Sequence, residues 1–161
     1  MQLLLIRHAD AGSRDSSLWA DDRQRPLTEK GRRGHRRVAK RLRRRRLAPA
    51  TVFSSPWLRA WQTAQITCDV TGSGEPVALP ALAEPPDCEA IASAIGSPGP
   101  DEVIALVGHE PWLGELASLL LAGDAHRVAV DFPKSGVLGL ECRTIVPATA
   151  QLAFFWRPKG S

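Results

Sequence analysis

The chain of 161 residues carries 21 lysines and arginines against 17 aspartates and glutamates, a formal net charge of +4. Its length and its 43% hydrophobic and 24% charged fractions are ordinary for a globular protein and favour one domain over residues 1–161. No apolar run reaches the roughly 20 residues of a membrane span, and the N-terminus shows no signal peptide pattern. Cys68, Cys88 and Cys142 form no CxxC pair, which predicts free thiols in a reducing cytoplasm.

The hydrophobic pattern alternates strands with helices, which predicts an α/β/α sandwich with a mostly parallel sheet. The apolar run at 3–6 predicts a buried first strand, and Thr28 is a suitable N-cap for a helix that begins at Glu29. The predicted elements, in chain order, are a strand at 3–6, a long loop at 11–26, a helix at 29–46, a strand at 52–54, a helix at 56–70, an irregular segment at 75–87, a helix at 88–95, a strand at 103–107, a helix at 111–122, and strands near 137–142 and 152–156.

Histidines and arginines follow the predicted parallel strands at the point where each strand ends. Arg7 and His8 follow the first strand, His109 follows the strand at 103–107, and Arg59 lies about one turn into the helix after the second strand. Right-handed crossovers place the carboxyl ends of such strands at one edge of the sheet, where α/β proteins bind ligands. We therefore expect these four side chains to converge.

Two guanidinium groups and two imidazoles without clustered carboxylates predict an anion site. Arginine matches phosphate oxygens with two parallel hydrogen bonds, and helix N-termini at Pro56 and Pro111 would add backbone donors. A sulfate or a carboxylate would also fit, but a central histidine favours phosphoryl transfer, because a neutral imidazole can attack phosphorus. Arg7 and Arg59 are expected to lower the pKa of His8. The absence of acidic ligands in these motifs argues against a metal site.

The other histidines and a run of cations are predicted to lie in solvent. His35 is expected to be solvated within the basic helix, and His126 follows Gly123 in a loop. Ten of the residues from Arg32 to Arg46 are lysine or arginine. Such a run raises nucleic acid or an acidic surface as a partner. A solvated helix face is the simpler interpretation, because arginine favours helices and no aromatic residues interleave the run to stack on bases.

Four blocks of this sequence resemble, in the same order, the signature segments of the histidine phosphatase superfamily. The blocks are LIRHA at 5–9, RPLTEKG at 25–31, SSPWLRAWQTA at 54–64 and VGHEP at 107–111, and KSG at 134–136 extends the match. The resemblance implies the phosphoglycerate-mutase-like fold, in which a mostly parallel sheet includes at least one antiparallel strand. The short chain is similar to the SixA-type phosphohistidine phosphatase branch, which implies a hydrolase without a metal or other cofactor; the cysteines favour a cytoplasmic location.

Position by position, the resemblance implies roles for the four converging residues. His8 would be the nucleophile that forms a covalent phosphohistidine. Arg7, Arg59 and His109 would bind the phosphoryl group and stabilise its transfer. Phosphorylated proteins or small phosphorylated molecules are the implied partners.

Two positions depart from the family pattern, and two neighbouring serines are given a structural role. Ala9 replaces the commoner glycine, and Glu110 stands where many relatives carry asparagine, so that a carboxylate is expected beside the site. Ser54 and Ser55 are expected to shape the turn that aims Arg59 rather than to take part in catalysis.

The proton donor is the part of the site with competing candidates. Phosphoesterase and mutase relatives use a glutamate shortly after a leucine in the middle segment, and Leu82 followed by Glu84 has that spacing. The alternative for Glu84 is an exposed loop carboxylate, since two prolines follow it and the SixA-type branch often lacks this acid. Asp87 is a weaker rival. A phosphoramidate leaves with little help, whereas an alkoxide leaving group needs a proton in the transition state.

The sequence thus predicts a phosphatase that removes phosphate from phosphohistidine in a protein through an intermediate at His8. A small-molecule phosphomonoesterase with Glu84 as the general acid is the alternative within the enzyme class. A non-catalytic binding module that uses the basic helix from Arg32 to Arg46 is the alternative from a different class. Neither a membrane nor nucleic acid is expected as a partner, and a mutase is disfavoured because no segment remains to close over a bisphosphorylated intermediate.

Overall fold

A six-stranded mixed sheet forms the centre of the computed structural model, which describes residues 1–158; the last three residues of the predicted domain, 159–161, lie outside that range. The strands are β1 (Gln2–Arg7), β2 (Thr51–Ser54), β3 (Val77–Ala78), β4 (Val103–Gly108), β5 (Val137–Glu141) and β6 (Gln151–Trp156). The helices are α1 (Glu29–Arg44), α2 (Leu58–Thr71), α3 (Cys88–Ile95) and α4 (Trp112–Ala122), and short 3₁₀ turns lie at Asp22–Gln24 and Pro80–Ala83.

The strand order β3-β2-β4-β1-β5-β6 confirms the predicted, mostly parallel sheet. The first four strands in this order are parallel, whereas β5 pairs antiparallel with β1 and β6 pairs antiparallel with β5. Parallel strands joined by crossover helices all end at the same edge of the sheet. The register pairs Arg7 with Gly108 and Ser54 with Val107, so the residues that follow β1, β2 and β4 lie side by side.

Two hydrophobic layers cover the two faces of the sheet. Successive strand residues point to opposite faces, so Leu3 and Leu5 pack with residues of α3 and α4, whereas Leu4 and Ile6 pack with residues of α1 and α2. All four side chains are fully buried, which is why this run shows no polar alternation. Burial of each contributes about 1.5–3 kcal/mol to folding, and the two layers together fix the end of β1.

The start of α1 is held against the chain that leaves β1. The Thr28 side chain caps the helix by accepting a hydrogen bond from the Gly31 amide at 2.9 Å, as predicted. Gly31 is required here, because a Cβ atom at this position would lie 2.1 Å from the carbonyl oxygen of Asp10. The helix ends at Arg44, two residues before the predicted end.

His35 corrects the sequence interpretation, which placed it in solvent. Its side chain is fully buried on the stripe of α1 that also carries Val38 and Leu42. Its Nδ1 atom lies 3.2 Å from the Ser135 hydroxyl and its Nε2 atom lies 2.9 Å from the Thr67 hydroxyl. Burial lowers the pKa of His35 to about 4. The flanking arginines indicated a solvated position. A helical projection, however, places His35 on the same side as Val38, three residues later, which is the apolar side.

Two other boundaries differ from the prediction. The segment predicted to be irregular contains β3, a two-residue edge strand that pairs with β2 and is too short to show a hydrophobic pattern. Helix α2 begins at Leu58 rather than at Pro56. Within residues 1–158, no helix combines the length and apolar character needed to cross a membrane.

Candidate active site

The ends of β1 and β4 hold two histidines side by side. The His8 amide donates a hydrogen bond to the Gly108 carbonyl at 3.0 Å, and the Ser135 amide donates to the His8 carbonyl at 3.2 Å. The imidazole rings of His8 and His109 lie 5.2 Å apart, centroid to centroid. Both side chains are buried, as is that of Arg59. The structure therefore brings together the residues that the strand ends were predicted to collect.

Hydrogen bonds fix both nitrogens of the His8 ring. Nδ1 lies 2.7 Å from the carbonyl oxygen of Ala9, and since a carbonyl can only accept, Nδ1 carries the proton. Nε2 is then unprotonated, and its lone pair accepts a hydrogen bond from the Nε group of Arg59 at 3.2 Å. Burial, together with the charges of Arg59 and Arg7, lowers the pKa of His8 to about 3. The predicted lowering is confirmed, but burial contributes more than the arginines on which the prediction relied.

Ser55 holds the ring of His109, a contact that the sequence did not predict. The Nε2 atom of His109 lies 2.8 Å from the Ser55 hydroxyl, which also accepts a hydrogen bond from the Trp57 amide. Burial, followed by the charges of His8 and Arg59, lowers the pKa of His109 well below its ordinary value. Ser55 thus does more than shape the turn before α2. Its place at the end of β2, opposite the end of β4, is the signal that could have identified it.

Two buried polar atoms at this edge have no hydrogen-bond partner among the described residues. They are the Nε group of Arg7 and the Nδ1 atom of His109. The Nη1 group of Arg7 donates to the Phe132 carbonyl, which fixes the guanidinium. A buried donor without a partner is costly, and an anion seated between these residues would supply an acceptor. The predicted anion site agrees with this arrangement.

The loop between β1 and α1 places a carboxylate on Arg59. Asp22 accepts hydrogen bonds from Arg25 at 2.8 Å and from Arg14 at 3.1 Å, and it forms an ion pair with Arg59 at 3.3 Å. Burial would raise the pKa of Asp22, but the hydrogen bonds from Arg25 and Arg14 and the charge of Arg59 together hold it well below its usual range. Burial lowers the pKa of Arg59 to about 10, so its guanidinium remains a cation at neutral pH.

Arg25 ties the same loop down from the inside. Its buried guanidinium donates to the carbonyl oxygens of Ala11 at 3.1 Å and Gly12 at 2.9 Å. No role was assigned to Arg25 or Asp22 from the sequence, although Arg25 lies in the RPLTEKG block. The loop at 11–26 therefore orients Arg59 through Asp22 rather than only covering the site.

Two tryptophans form a wall beside the histidines. The Trp57 ring lies 4.5 Å from the His109 ring, and the guanidinium carbon of Arg59 lies 4.6 Å from the Trp57 ring centre. Trp112 packs edge-on against His109 at 6.3 Å. Trp57 also lines an open groove of about 590 Å³, whose other lining residues are Asp21, Arg23, Gln24, Pro56, Pro80, Ala83 and Glu84.

The structure separates the two candidate acids. Glu84 is exposed and lines the groove beside Trp57. The Asp87 carboxylate instead caps α3 by accepting hydrogen bonds from the amides of Glu89 and Ala90, both at 3.0 Å. This capping gives Asp87 a structural role.

Glu110 acts on the site through the backbone that fixes Arg7. Its carboxylate accepts a hydrogen bond from the Phe132 amide at 3.0 Å, and Phe132 in turn accepts from Arg7. Burial raises the pKa of Glu110 above its ordinary value. Among residues 1–158, no group of three or more His, Cys, Asp or Glu side chains is arranged to hold a metal ion.

The sequence model of the histidine phosphatase superfamily (branch 1) matches residues 3–86, about half of the chain. The chain belongs to this superfamily. A relative from Picosynechococcus sp., an uncharacterised protein, is 34% identical over 142 residues, which are 87% of this chain and 84% of the relative.

Solved structures place this histidine phosphatase in the SixA-type branch. The protein histidine phosphatase SixA in complex with tungstate superposes with a TM-score of 0.81 at 25% identity, covering 98% of this chain and 97% of that one. A candidate SixA from Agrobacterium tumefaciens gives a TM-score of 0.76 at 25% identity, with the same coverage. A mycobacterial glucosyl-3-phosphoglycerate phosphatase, 17% identical with a TM-score of 0.68 and covering 98% of this chain and 99% of its own, shares the fold. Family and neighbours support phosphatase activity.

Proposed function

We propose that this histidine phosphatase removes phosphate from phosphohistidine in a protein substrate, through a covalent intermediate at His8. The observation that carries the proposal is the state of the His8 ring. Its Nδ1 proton is held by the Ala9 carbonyl, and its unprotonated Nε2 atom accepts from Arg59 at the buried cationic edge of the sheet. Burial and the nearby arginines keep this imidazole neutral, and a neutral imidazole nitrogen can attack phosphorus.

The reaction takes place in two steps. When the phosphoryl group binds, the Nε group of Arg59 turns from Nε2 of His8 to a phosphoryl oxygen. The Nε2 lone pair then attacks phosphorus, and the bond from phosphorus to the leaving atom breaks. That atom keeps the electron pair and, when it belongs to imidazole, takes a proton from solvent. Water then attacks the phosphohistidine, which releases inorganic phosphate and restores His8. Arg7, Arg59 and His109 line the position of the transferred group and stabilise the charge on its oxygens, so we propose that no metal cofactor is needed.

Phosphohistidine is the preferred substrate because of its leaving group and because of the similar solved structures. Asp22 is held ionised by its arginines, Asp87 caps a helix, and Glu84 is exposed. A site of this kind suits a leaving group that departs with little protonation, as the nitrogen of a phosphoramidate does. One structural neighbour is the protein histidine phosphatase SixA, and another is a candidate phosphohistidine phosphatase SixA. The free cysteines support a reducing, cytoplasmic location.

A second candidate function is the hydrolysis of small phosphomonoesters with Glu84 as the general acid. The observation that favours it is the open groove of about 590 Å³, on which Glu84 and Trp57 both lie while the Trp57 ring contacts His109. A small alcohol leaving group seated there would be within reach of a carboxyl group.

The two candidates are separated by the relative rates on two substrates. A chemically phosphorylated histidine peptide and an alkyl phosphate are compared at equal concentrations, with wild type and with the His8→Ala variant as the control for background hydrolysis. The proposal predicts faster hydrolysis of the phosphohistidine peptide, lost in His8→Ala and unchanged by a metal chelator. Preferential hydrolysis of the alkyl phosphate would favour the second candidate.

A further inference from the structure

The formal charge of this chain is strongly segregated. Residues 29–46 contain eleven lysines and arginines and the single carboxylate of Glu29, a net charge of +10. Since the whole chain carries +4, all the other residues together carry −6. We name the exposed cations of this segment the basic face; its members are Lys30, Arg33, Arg36, Arg37, Lys40, Arg41, Arg43, Arg44, Arg45 and Arg46.

The structure leaves the basic face largely without internal counter-ions. In the described part of the chain, the ion pair between Arg32 and Glu29, at 3.7 Å, is the only one formed by residues of this segment. Arg41 lies over the Trp156 ring and Arg43 donates to the Val70 carbonyl. The apolar stripe of α1 is packed against the sheet and α2, so the exposed side offers charge rather than apolar surface.

The basic face begins at the edge of the sheet that carries the candidate active site. Thr28, the cap of α1, donates from its amide to the carbonyl of Asp10 at 2.9 Å, and Asp10 follows His8 by two residues. Because α1 connects the parallel strands β1 and β2, it runs back toward the opposite edge. Its 16 residues extend for about 24 Å. A macromolecule whose phosphorylated side chain enters the site can lie along this helix.

We infer that the basic face docks an acidic surface of the protein that carries the phosphohistidine. This inference rests on the proposed function and names the chemistry of the substrate protein. Arginine binds carboxylate groups with two parallel hydrogen bonds. The remaining residues carry a net charge of −6, so an acidic partner is attracted to this face more than to the rest of the surface, which orients it.

The same surface is less suited to nucleic acid. Single-stranded binding sites combine cations with aromatic rings on which bases stack, whereas His35, the sole ring of α1, is fully buried. Trp156, beside the helix, is already in contact with Arg41 and with Phe154. An acidic protein needs only the charge and the length that the face provides.

A binding measurement tests the inference without relying on catalysis. Two fluorescent peptides each contain one histidine, a flexible linker and a tract of about eight residues, either glutamate or glutamine; a tract of this length spans about 26 Å when extended. We expect the glutamate peptide to bind about tenfold more tightly at about 0.05 M salt and to lose this preference near 0.5 M, where charges are screened. Equal affinities for the two peptides would overturn the inference.

The matched variants distinguish the basic face from net charge alone. The triple change Arg33→Gln, Arg37→Gln and Arg44→Gln removes three of the ten exposed cations and should reduce the preference for the glutamate peptide about threefold. The three positions are exposed and glutamine favours helices, so we expect α1 to remain intact. A thermal melt verifies that the variant is folded.

The control removes the same charge elsewhere, through Arg127→Gln, Arg143→Gln and Arg157→Gln, which are exposed residues outside α1. The control should bind both peptides as wild type does. Equal losses in the two triple variants would show a net-charge effect and would overturn the docking surface. Duplex DNA is tested as a competitor of the glutamate peptide, with both concentrations counted per negative charge. Displacement by DNA at a lower concentration than the peptide itself would assign the face to nucleic acid instead.

Turnover of the same peptides, phosphorylated on histidine, separates docking from chemistry. We expect the glutamate tract to lower KM while leaving kcat within about twofold, and the α1 triple variant to reduce the KM advantage without changing kcat. A small phosphoramidate should be hydrolysed equally by wild type and the triple variant. A glutamate peptide that binds tightly but is not dephosphorylated would overturn the proposed function and leave the docking surface supported. Dephosphorylation of both peptides, with no effect of the acidic tract on binding, would overturn the docking surface and leave the proposed function supported.

Discussion

Arg59 donates a hydrogen bond from Nε to the Nε2 atom of His8 at 3.2 Å. The proposed nucleophile is therefore in direct contact with a buried cation. The same guanidinium reaches Asp22 through its Nη groups. Arg59 therefore links the ring at the end of β1 to the loop that precedes α1. Its geometry, more than its charge, is the feature that a conservative replacement would lose.

The Arg59→Lys variant tests that geometry. Lysine keeps the positive charge but lacks the Nε–H group and the planar fork, so we expect kcat to fall about 10²- to 10³-fold, the usual cost of a lost transition-state donor. The rate on a phosphohistidine peptide is measured beside circular dichroism, with Arg127→Lys as the control at an exposed position. A variant with nearly full activity would remove the Arg59 fork from the mechanism.

The Asp22→Asn variant tests the loop as a support for Arg59. Because Asp22 has a lowered pKa in the folded protein, its ion pairs stabilise the fold above pH about 4 and lose this effect as the pH falls further. We expect a loss of about 1–3 kcal/mol in the free energy of unfolding at pH 7, which narrows at pH 3. Urea unfolding at both pH values measures it, with the exposed Asp101→Asn as the control. A deficit that does not change with pH would contradict the ion-pair explanation.

The burial of His35 predicts that the free energy of unfolding also depends on the titration of this side chain. Its pKa is about 4 when folded and 6.5 ordinarily, so the unfolded chain binds the proton first and stability falls as the pH drops from about 6.5 to 4. In His35→Gln, this dependence should be less steep by about 1.4 kcal/mol per pH unit, the value for one proton. Denaturant unfolding across this range measures it. Identical slopes for the two proteins would contradict the buried, neutral His35.

The Glu84→Gln variant decides between the two candidate functions. An imidazole leaving group needs little protonation, so hydrolysis of a phosphohistidine peptide should stay within about twofold of wild type. The alkyl phosphate rate is measured in parallel, and a selective loss of about 10²-fold or more there would identify Glu84 as the acid of a secondary esterase activity. Equal losses on both substrates would contradict our account of the leaving group.

The sequence was sufficient to predict the fold and the residues at the strand ends, because both depend on local patterns. The uninterrupted run at 3–6 revealed β1, and strand ends at a common edge brought Arg7, His8 and His109 together. Asp22 and Ser55 escaped prediction because their roles depend on tertiary contacts across the loop and the sheet. A loop without periodicity gives no sign of which carboxylate will meet a guanidinium about 40 residues away.

His35 shows how local composition can mislead. Arginines on both sides of it indicated a solvated position, whereas the helical period places it with Val38 on the buried side. Its partners Thr67 and Ser135 lie 32 and 100 residues away along the chain. The hydrogen bonds that make a buried histidine acceptable could not be inferred without the fold.

In the proposed reaction phosphate passes through His8, and rapid quenching during turnover would trap it there. With a radiolabelled phosphohistidine peptide, we expect a phosphoenzyme that is labile in acid and stable in base and that contains one phosphate on His8. The folded His8→Ala variant should be inactive and should form no phosphoenzyme. Turnover that continues in His8→Ala, or a phosphoenzyme labelled at another residue, would contradict the proposed reaction.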